Sequence, residues 1–484
     1  MNIKMVLRSL GMILICEAIA MMPSLMVSFI YKDGTGVAFF YTIFILLVVG
    51  ILCVIAVKPE NKTIYTRDGF AIVAFGWIMI SLFGALPFYL SGSIPSFIDC
   101  IFETVSGFTT TGSSILKEVE TLPKAILFWR SFTHWIGGMG VLVLTMALFP
   151  ITGTGAFQVM VAESPGPIPG KLVPKVANTA KILYAIYVLF TFAEIVLLVM
   201  AGLPLFDACI HTFGSVGTGG FSSRNTSISS FNNVLVEIII TMFTFMCGVN
   251  FSLYYQAIKG NFKAFLKDEE FRFYLAIVLG AILLISIDLC GNVFETIGES
   301  IRHSSFQVVT IITTTGYSST DFNNWPIFSK VILFFLMFIG GCAGSTGGGM
   351  KVIRILLLMK STKTELLRII HPRGVYPVRI GNKVVEEKYV GEIKNYFFMY
   401  MLIFVIAVLV VSLDGFDMLT TLSSVAATLG NIGPGFSVVG PLGNYSEMSV
   451  LSKLVLSCAM LIGRLEIYPI LLLSIPAFWK KVNI

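Results

Sequence analysis

The chain has 484 residues, 56% of them hydrophobic and 12% charged, with a formal net charge of +6. Soluble domains carry about a quarter charged residues, so this composition and a mean hydropathy of +0.88 exclude an ordinary water-soluble domain and put the chain in lipid. The eight cysteines are scattered singly and no CxxC occurs, so neither a disulfide framework nor a zinc site is indicated.

Lys4 and Arg8 precede an apolar run that continues to about Ile30 without an A-x-A cleavage pattern. The N-terminus therefore reads as a first membrane helix rather than a removed signal. Two spanning segments come first, near 5–31 and 36–57, followed by a charged hinge from Lys58 to Lys62 and on through Arg67-Asp68. From there one unit runs four times: a spanning run, a short apolar helix, a Thr/Gly turn and a second spanning run. The first unit has its runs near 69–91 and 125–150, around the stretch Phe102-Glu103-Thr104-Val105-Ser106-Gly107-Phe108-Thr109-Thr110-Thr111-Gly112. The others occupy 178–203, 205–216, 217–222 and 232–257, then 271–290, 294–312, 313–318 and 327–359, and finally 394–413, 416–429, 430–435 and 450–479. The predicted architecture is an all-α integral membrane protein, with an N-terminal helix pair over 1–60 and helix–pore-helix–helix repeats over 61–155, 171–262, 268–365 and 390–484.

A helix of about 14 residues, at 1.5 Å per residue, cannot cross a bilayer of ~30 Å. Each short helix must dip in and return, and the Thr/Gly turn is its returning limb. The four turns are Thr110-Thr111-Gly112, Thr218-Gly219-Gly220, Thr314-Thr315-Gly316 and Asn431-Ile432-Gly433, a recurrence too regular for chance loops. Open backbone at membrane depth is tolerated only where it packs in protein or lines water. Glycine permits the φ > 0 geometry that aims successive carbonyls one way, and a ring of carbonyls replaces the hydration shell of a monovalent cation. Turns that merely join helices are the alternative, and they would leave buried carbonyls without partners. Asp99, Asp207, Glu295 and Asp417 stand near the starts of the short helices, where acidic groups complement the dipole. The carbonyl-rich ends then face the turns.

Lys4, Arg8, Lys58, Lys62, Arg67, Lys171, Lys175, Lys259, Lys263, Lys267 and Lys480 fall on one side of this map, with the run from Lys351 and Arg354 to Lys388. That side is cytoplasmic by the positive-inside rule, and both termini lie there. The opposite side carries Asp33, Glu118, Glu120, Asp321 and Glu447, an acidic outer mouth that would concentrate cations. The cytoplasmic basic stretch between the third and fourth units is interspersed with Glu365, Glu386 and Glu387. Mixed signs favour a protein partner over nucleic acid.

Gly340-Gly341-Cys342-Ala343-Gly344-Ser345-Thr346-Gly347-Gly348-Gly349-Met350-Lys351 interrupts a spanning run. It is not a phosphate loop: Gly344 and Gly349 are followed by Met350-Lys351-Val352 where G-K-[ST] is needed, and no strand precedes it. So many glycines break a helix, which makes this an irregular segment in the inner half of the path; a close-packing glycine face is the alternative. Arg464 sits midway along the last run, where an unpaired charge is costly. Glu466 is an awkward partner two positions away, Glu17 and Glu194 are other intramembrane carboxylates, and the carbonyls of 340–349 are a third option. His134, His211, His303 and His371 show no HExxH or related spacing and no Ser/His/Asp motif stands out, so no enzyme chemistry is expected. Broken helices also build coupled secondary transporters, so sodium- or proton-coupled cation transport is the rival; those folds usually show inverted repeats, whereas these four run in parallel register.

On these four turns, the segment 340–351 and Gly463-Arg464-Leu465-Glu466-Ile467-Tyr468, the chain resembles, over essentially its whole length, the Trk-type bacterial potassium uptake proteins of the TrkH/KtrB/HKT superfamily. The initial helix pair favours the TrkH branch. The resemblance implies potassium as the transported ligand, with no covalently bound cofactor, and a multi-pass protein of the bacterial inner membrane. A serine in the first turn accompanies sodium selectivity in that superfamily, so Gly112 implies potassium. It also implies a gate formed by Gly344, Ser345, Thr346, Gly347, Gly348 and Gly349 with Arg464, a homodimer, and a cytosolic TrkA-like regulatory subunit through which nucleotide acts. The second and fourth turns depart from Thr-Thr-Gly, which argues against equal coordination by all four units.

Overall fold

The structure, a computed structural model, describes residues 1–57, 64–140, 176–381 and 383–480. The hinge at Lys58 to Lys62, the far end of the run expected over 125–150, Lys171, Lys175 and the stretch joining the first two units lie outside the described residues. What is described is almost entirely helical; a two-residue hairpin, Arg379–Ile380 against Lys383–Val384, sits in the link between the third and fourth units.

The N-terminal pair, Ile3–Tyr31 and Gly36–Ala56, packs closely where Gly11 faces Gly50: a methyl group on Gly11 would lie 2.8 Å from the Gly50 carbonyl oxygen. Small residues let helices approach in a membrane, where lipid supplies no hydrophobic drive between them. Asp33, in the link between the two, accepts hydrogen bonds from the Ser28 hydroxyl (2.6 Å), the Thr35 N–H (3.1 Å) and the Ala125 N–H (2.8 Å). The last of these is an orphan donor at the start of the helix Lys124–Gly138. Partial burial alone would raise the Asp33 carboxyl, but these bonds outweigh it and hold it below the ordinary carboxylate value. Asp33 thus fastens the pair to the first repeat and is not a free charge at an outer mouth.

In each repeat the first helix is long and apolar enough to span: Thr66–Leu90, Lys181–Met200, Glu269–Leu289 and Glu387–Asp414. The second helices behave otherwise: single spans over 232–257 and 450–479 are corrected, and the run 327–359 is interrupted at the glycine-rich stretch, as expected. Val234–Cys247 turns by 94° into Phe251–Ile258, restarted by Asn250, whose side chain accepts the Ser252 N–H. Ile327–Ile339 stops at Gly340, whose φ of 81° leaves the helical region, and the helix resumes only at Val352–Ile370. Val450–Arg464 ends where Glu466 and Ile467 take φ of 55° and 71°.

Four short helices point into the bundle: Phe97–Phe108, Leu205–Val216, Ile297–Ile312 and Met418–Leu429. Three of them hold 12 residues and so extend about 18 Å, too little for a bilayer. Ser96, Thr296 and Asp417 cap the first, third and fourth. Glu295 is therefore not the starter of the third: Thr296 caps it and Glu299 lies in its first turn, because the threonine hydroxyl reaches the Glu299 N–H at 3.2 Å. Burial is inverted relative to a soluble protein. Phe29, Phe40, Met200 and Ile327 are exposed, while Ser106, Thr109, Thr110 and Thr111 are wholly buried. The apolar surface faces lipid and the open backbone is kept inside, as membrane depth requires.

Candidate functional site

Each short helix ends in the same backbone device. Thr110, Thr218, Thr314 and Asn431 adopt left-handed φ of 54°, 55°, 61° and 55°. Their N–H groups donate to Gly107, Ser215, Ile311 and Thr428 carbonyls, three residues back, at 3.0–3.2 Å. The next residues, Thr111, Gly219, Thr315 and Ile432, donate five residues back, to Ser106, Gly214, Thr310 and Ala427, at 2.7–2.9 Å. Paired bonds of these two lengths around a left-handed residue are a Schellman motif, here with threonine or asparagine where glycine is usual. One residue further on, Gly112, Gly220, Gly316 and Gly433 have φ of 83°, 78°, 80° and 101°, which only glycine adopts freely.

The four turns close on one another in order. A methyl group on Gly112 would strike the Gly219 carbonyl oxygen, one on Gly220 that of Thr315, and one on Gly316 that of Ile432. One on Gly433 would lie 2.6 Å from the carbonyl oxygen of Thr111, completing the circuit. All four glycines line one cavity of about 110 Å³. Its wall includes Lys117, Arg130 and Arg224 and, among the described residues, no carboxylate, so the acids expected at an outer mouth, Asp33, Glu118, Glu120, Asp321 and Glu447, do not line the cavity itself; Glu120 stands beside its rim, accepting the Asn225 N–H at 3.2 Å. Arg130 is itself neutralised, its Nε 2.6 Å from Glu103 Oε1, and Glu103 also accepts from Ser114 and the Ile115 N–H just past the first turn.

Side chains behind the turns differ from unit to unit. The hydroxyls of Thr111 and Thr315 bond those of Thr109 and Thr313, at 2.7 and 2.9 Å. Asn431 donates from Nδ2 to the Thr111 hydroxyl (3.0 Å) and the Met460 carbonyl (2.9 Å). Tyr317, one residue past Gly316, donates into the second unit, to the carbonyls of His211 and Phe221. Tyr445 donates to the Gly433 carbonyl at 2.8 Å. Neither tyrosine, nor His134, was marked out by sequence: single aromatic residues in apolar surroundings carry no pattern.

The segment 340–351 lies directly beneath. The Gly348 N–H donates to the Thr314 hydroxyl at 2.6 Å, and a methyl group on Gly347 would sit 2.8 Å from the Thr313 carbonyl oxygen. Cys342 N–H donates to the Gly248 carbonyl, Thr346 N–H to Cys247, and Phe251 N–H to Gly344, so this segment caps the broken helix of the second unit. Ser345 donates to the Cys342 carbonyl, and Gly349, at φ 72°, turns the chain back toward Val352. Arg464 reaches across: Nη1 donates to the Thr346 carbonyl (3.0 Å), and Nη2 to Gly137 and Gly138 (2.9 Å to the latter). Of the partners weighed for Arg464, the carbonyls are the ones it meets. Glu466 instead takes Arg354 in a two-pronged pair, 2.6 and 3.2 Å, with the guanidinium 4.0 Å above the Tyr396 ring. Lys351 is buried with its ammonium on the Gly347 carbonyl. Lys351 and Arg354 therefore do not belong to the exposed basic run in which their spacing put them.

The chain as a whole is similar to known proteins. A family model described as TrkH, cation transport protein, matches residues 35–481. The chain is 39% identical over 485 residues to the Trk system potassium uptake protein TrkH of Escherichia coli, with 99% of this chain and 100% of that protein covered. It is 36% identical over 483 residues to the Trk system potassium uptake protein TrkG of the same organism, covering 99% of each. The crystal structure of the potassium transporter TrkH from Vibrio parahaemolyticus superposes with a TM-score of 0.90 at 36% identity, covering 99% of this chain and 100% of that one. Four repeats of one membrane unit, a closed ring of turns and near-complete coverage agree: the chain belongs to the TrkH family of cation transport proteins, and is a transporter, not an enzyme.

Proposed function

We propose that this protein takes up potassium across the bacterial inner membrane, both termini cytoplasmic, through a selectivity filter built by Thr110, Thr111, Gly112, Thr218, Gly219, Gly220, Thr314, Thr315, Gly316, Asn431, Ile432 and Gly433. The observation that carries this is the closed order of the four glycines, each set against a carbonyl of the next turn. Such a ring supplies fixed dipoles in place of water. The Thr110 hydroxyl adds support, being buried with no hydrogen-bond partner among the described residues, as a group waiting for an ion would be. Segment 344–349 with Arg464 acts as the gate, since it lies against the lower edge of the third turn and is held there by bonds that can be released. The relatives named above are Trk system potassium uptake proteins, which supports potassium as cargo. A homodimer and a cytosolic nucleotide-binding partner of TrkA type complete the reading, and the mixed-charge link around Lys363, Arg368 and Glu387, where Arg368 and Glu387 pair at 2.6 Å, is the surface offered to that partner.

Rubidium uptake into proteoliposomes, with sodium as competitor, tests the reading: saturable uptake that sodium fails to suppress is expected, and equal competition would overturn potassium selectivity. Sodium- or proton-coupled transport draws on Glu17, buried at membrane depth with neither carboxylate oxygen hydrogen-bonded among the described residues. Uptake that requires an imposed sodium or proton gradient would favour that alternative.

A further inference from the structure

His134 has no role in the account above, yet it is wholly buried on the second helix of the first repeat, beside two of the four turns. Its Nδ1 lies 2.7 Å from the Gly107 carbonyl oxygen. A carbonyl only accepts, so Nδ1 carries the hydrogen and Nε2 is left as an acceptor. Nε2 receives the Phe221 backbone N–H at 3.2 Å, and the imidazole lies against the Phe221 ring, centroids 4.1 Å apart. The Gly107 carbonyl is the one that also accepts Thr110 N–H in the first Schellman motif. One neutral imidazole therefore joins the end of the first short helix to the chain leaving the second turn.

The second turn makes room for it. A methyl group on Gly219 would collide with the His134 ring, 2.3–2.5 Å from its Cγ, Nδ1 and Cδ2, at the position where the other turns carry Thr111, Thr315 and Ile432. The first and third turns brace themselves through Thr109–Thr111 and Thr313–Thr315 hydroxyl pairs. The corresponding second-turn residues are Gly217 and Gly219, which have no side chain to do so.

We propose that His134 is a specificity-determining positioning residue: it braces the second turn from outside and fixes the direction of the Gly220 carbonyl. The Phe221 N–H and the Gly220 C=O belong to one planar trans peptide and point opposite ways. Holding the N–H outward on Nε2 holds the carbonyl toward the ring's interior. Without that acceptor the peptide is free to rotate, and one of the dipoles that discriminates between cations of different size is no longer fixed. This inference rests on the reading of the four turns as a filter.

The test uses the full-length protein in proteoliposomes and reads the rubidium-to-sodium preference. His134→Leu keeps bulk and removes both hydrogen bonds, and the preference should fall about tenfold with uptake retained, the scale of one hydrogen bond. His134→Gln, which offers a donor and an acceptor, should keep most of the preference. Gly219→Ala should abolish uptake in the parent but be tolerated beside His134→Ala, because the collision is with the ring. A monodisperse His134→Leu protein with the parent's preference overturns the proposal, as does Gly219→Ala being equally harmful in both backgrounds. If His134→Leu fails to fold, the Gly219 pair decides. Gly112→Ser separates the two readings: if it leaves the preference unchanged the filter itself is misassigned, whereas if it alters the preference and His134→Leu does not, only the role of His134 falls.

Discussion

Replacing Arg464 with alanine removes, among the described residues, donated bonds to the carbonyls of Thr346, Gly137 and Gly138. Only the first holds the glycine-rich segment; the others anchor the arginine to the helix of the first repeat. A hydrogen bond from a charged donor contributes about 1.5–3 kcal/mol, and ~1.4 kcal/mol is a factor of ten in population. If the Thr346 bond exists only while the segment lies across the path, its loss multiplies the open population by about 10 to 100. Other holds remain, among them the Gly348 N–H on the Thr314 hydroxyl and the Cys342 and Thr346 N–H groups on the Gly248 and Cys247 carbonyls, so the expected gain is at the lower end, about tenfold. Removing an arginine beside a cation path also lowers the barrier to a cation. Deleting Gly344 to Gly348 removes the Thr346, Gly347 and Gly348 contacts together and should raise flux further, with less dependence on a regulatory partner. The assay is rubidium flux through purified, monodisperse protein. Flux at or below the parent's in a well-folded deletion variant would refute a gate at this segment, and misfolding of Arg464→Ala without added flux in any folded fraction would mark the arginine as a structural pin.

Gly112→Ser should reduce potassium-over-sodium discrimination without abolishing expression, because its Cβ would meet the Gly219 carbonyl and push one dipole out of the ring; unchanged reversal potentials in mixed potassium and sodium would count against it. Thr110→Gly should stabilise the fold by about 1 kcal/mol by relieving a left-handed threonine, while weakening rubidium occupancy through loss of an unpartnered hydroxyl; thermal unfolding in detergent and competition uptake read the two effects separately. Asp33→Ala should cost about 1 kcal/mol, the scale of a lost helix cap. Asp33 is held below its ordinary value in the folded protein, so its contribution is present above about pH 4 and fades as pH falls further; parent and variant should converge in acid, and a constant gap in unfolding temperature would show that the bonds are not to an ionised carboxylate.

The architecture was legible because lipid makes composition decisive. Long apolar runs mark the first helix of each repeat, and the 12-residue apolar helix Leu205–Val216 ends where its sequence predicts. The turns were legible because threonine and glycine are anomalous at membrane depth. Hydropathy cannot show a break between apolar residues, so Cys247 to Phe251 read as one helix although the chain turns by 94° there. Nor does it separate a lysine in cytoplasm from one that sits in protein: Lys351 looks like the start of a basic run, yet it is buried on the Gly347 carbonyl. Pairings between distant residues, such as Arg354 with Glu466, leave no local periodicity at all.

The left-handed residue in each turn carries the remaining argument. A non-glycine residue there costs roughly 1–2 kcal/mol, and the usual occupant is glycine, yet none of the four positions has it. Strain of this kind persists where the side chain has a use, and the four side chains are used differently. Asn431 ties the fourth turn to the first through Thr111 and to the last inner helix through Met460. Thr218 bonds only its neighbour's carbonyl, at Gly217, and its turn is braced from outside. Thr314 alone receives an N–H from the segment below, that of Gly348. Movement of the segment therefore breaks a bond to the third turn and to no other left-handed residue. A gate that pulls on one quarter of the ring also changes the site above it, so flux and selectivity in this protein are expected to change together when the segment moves.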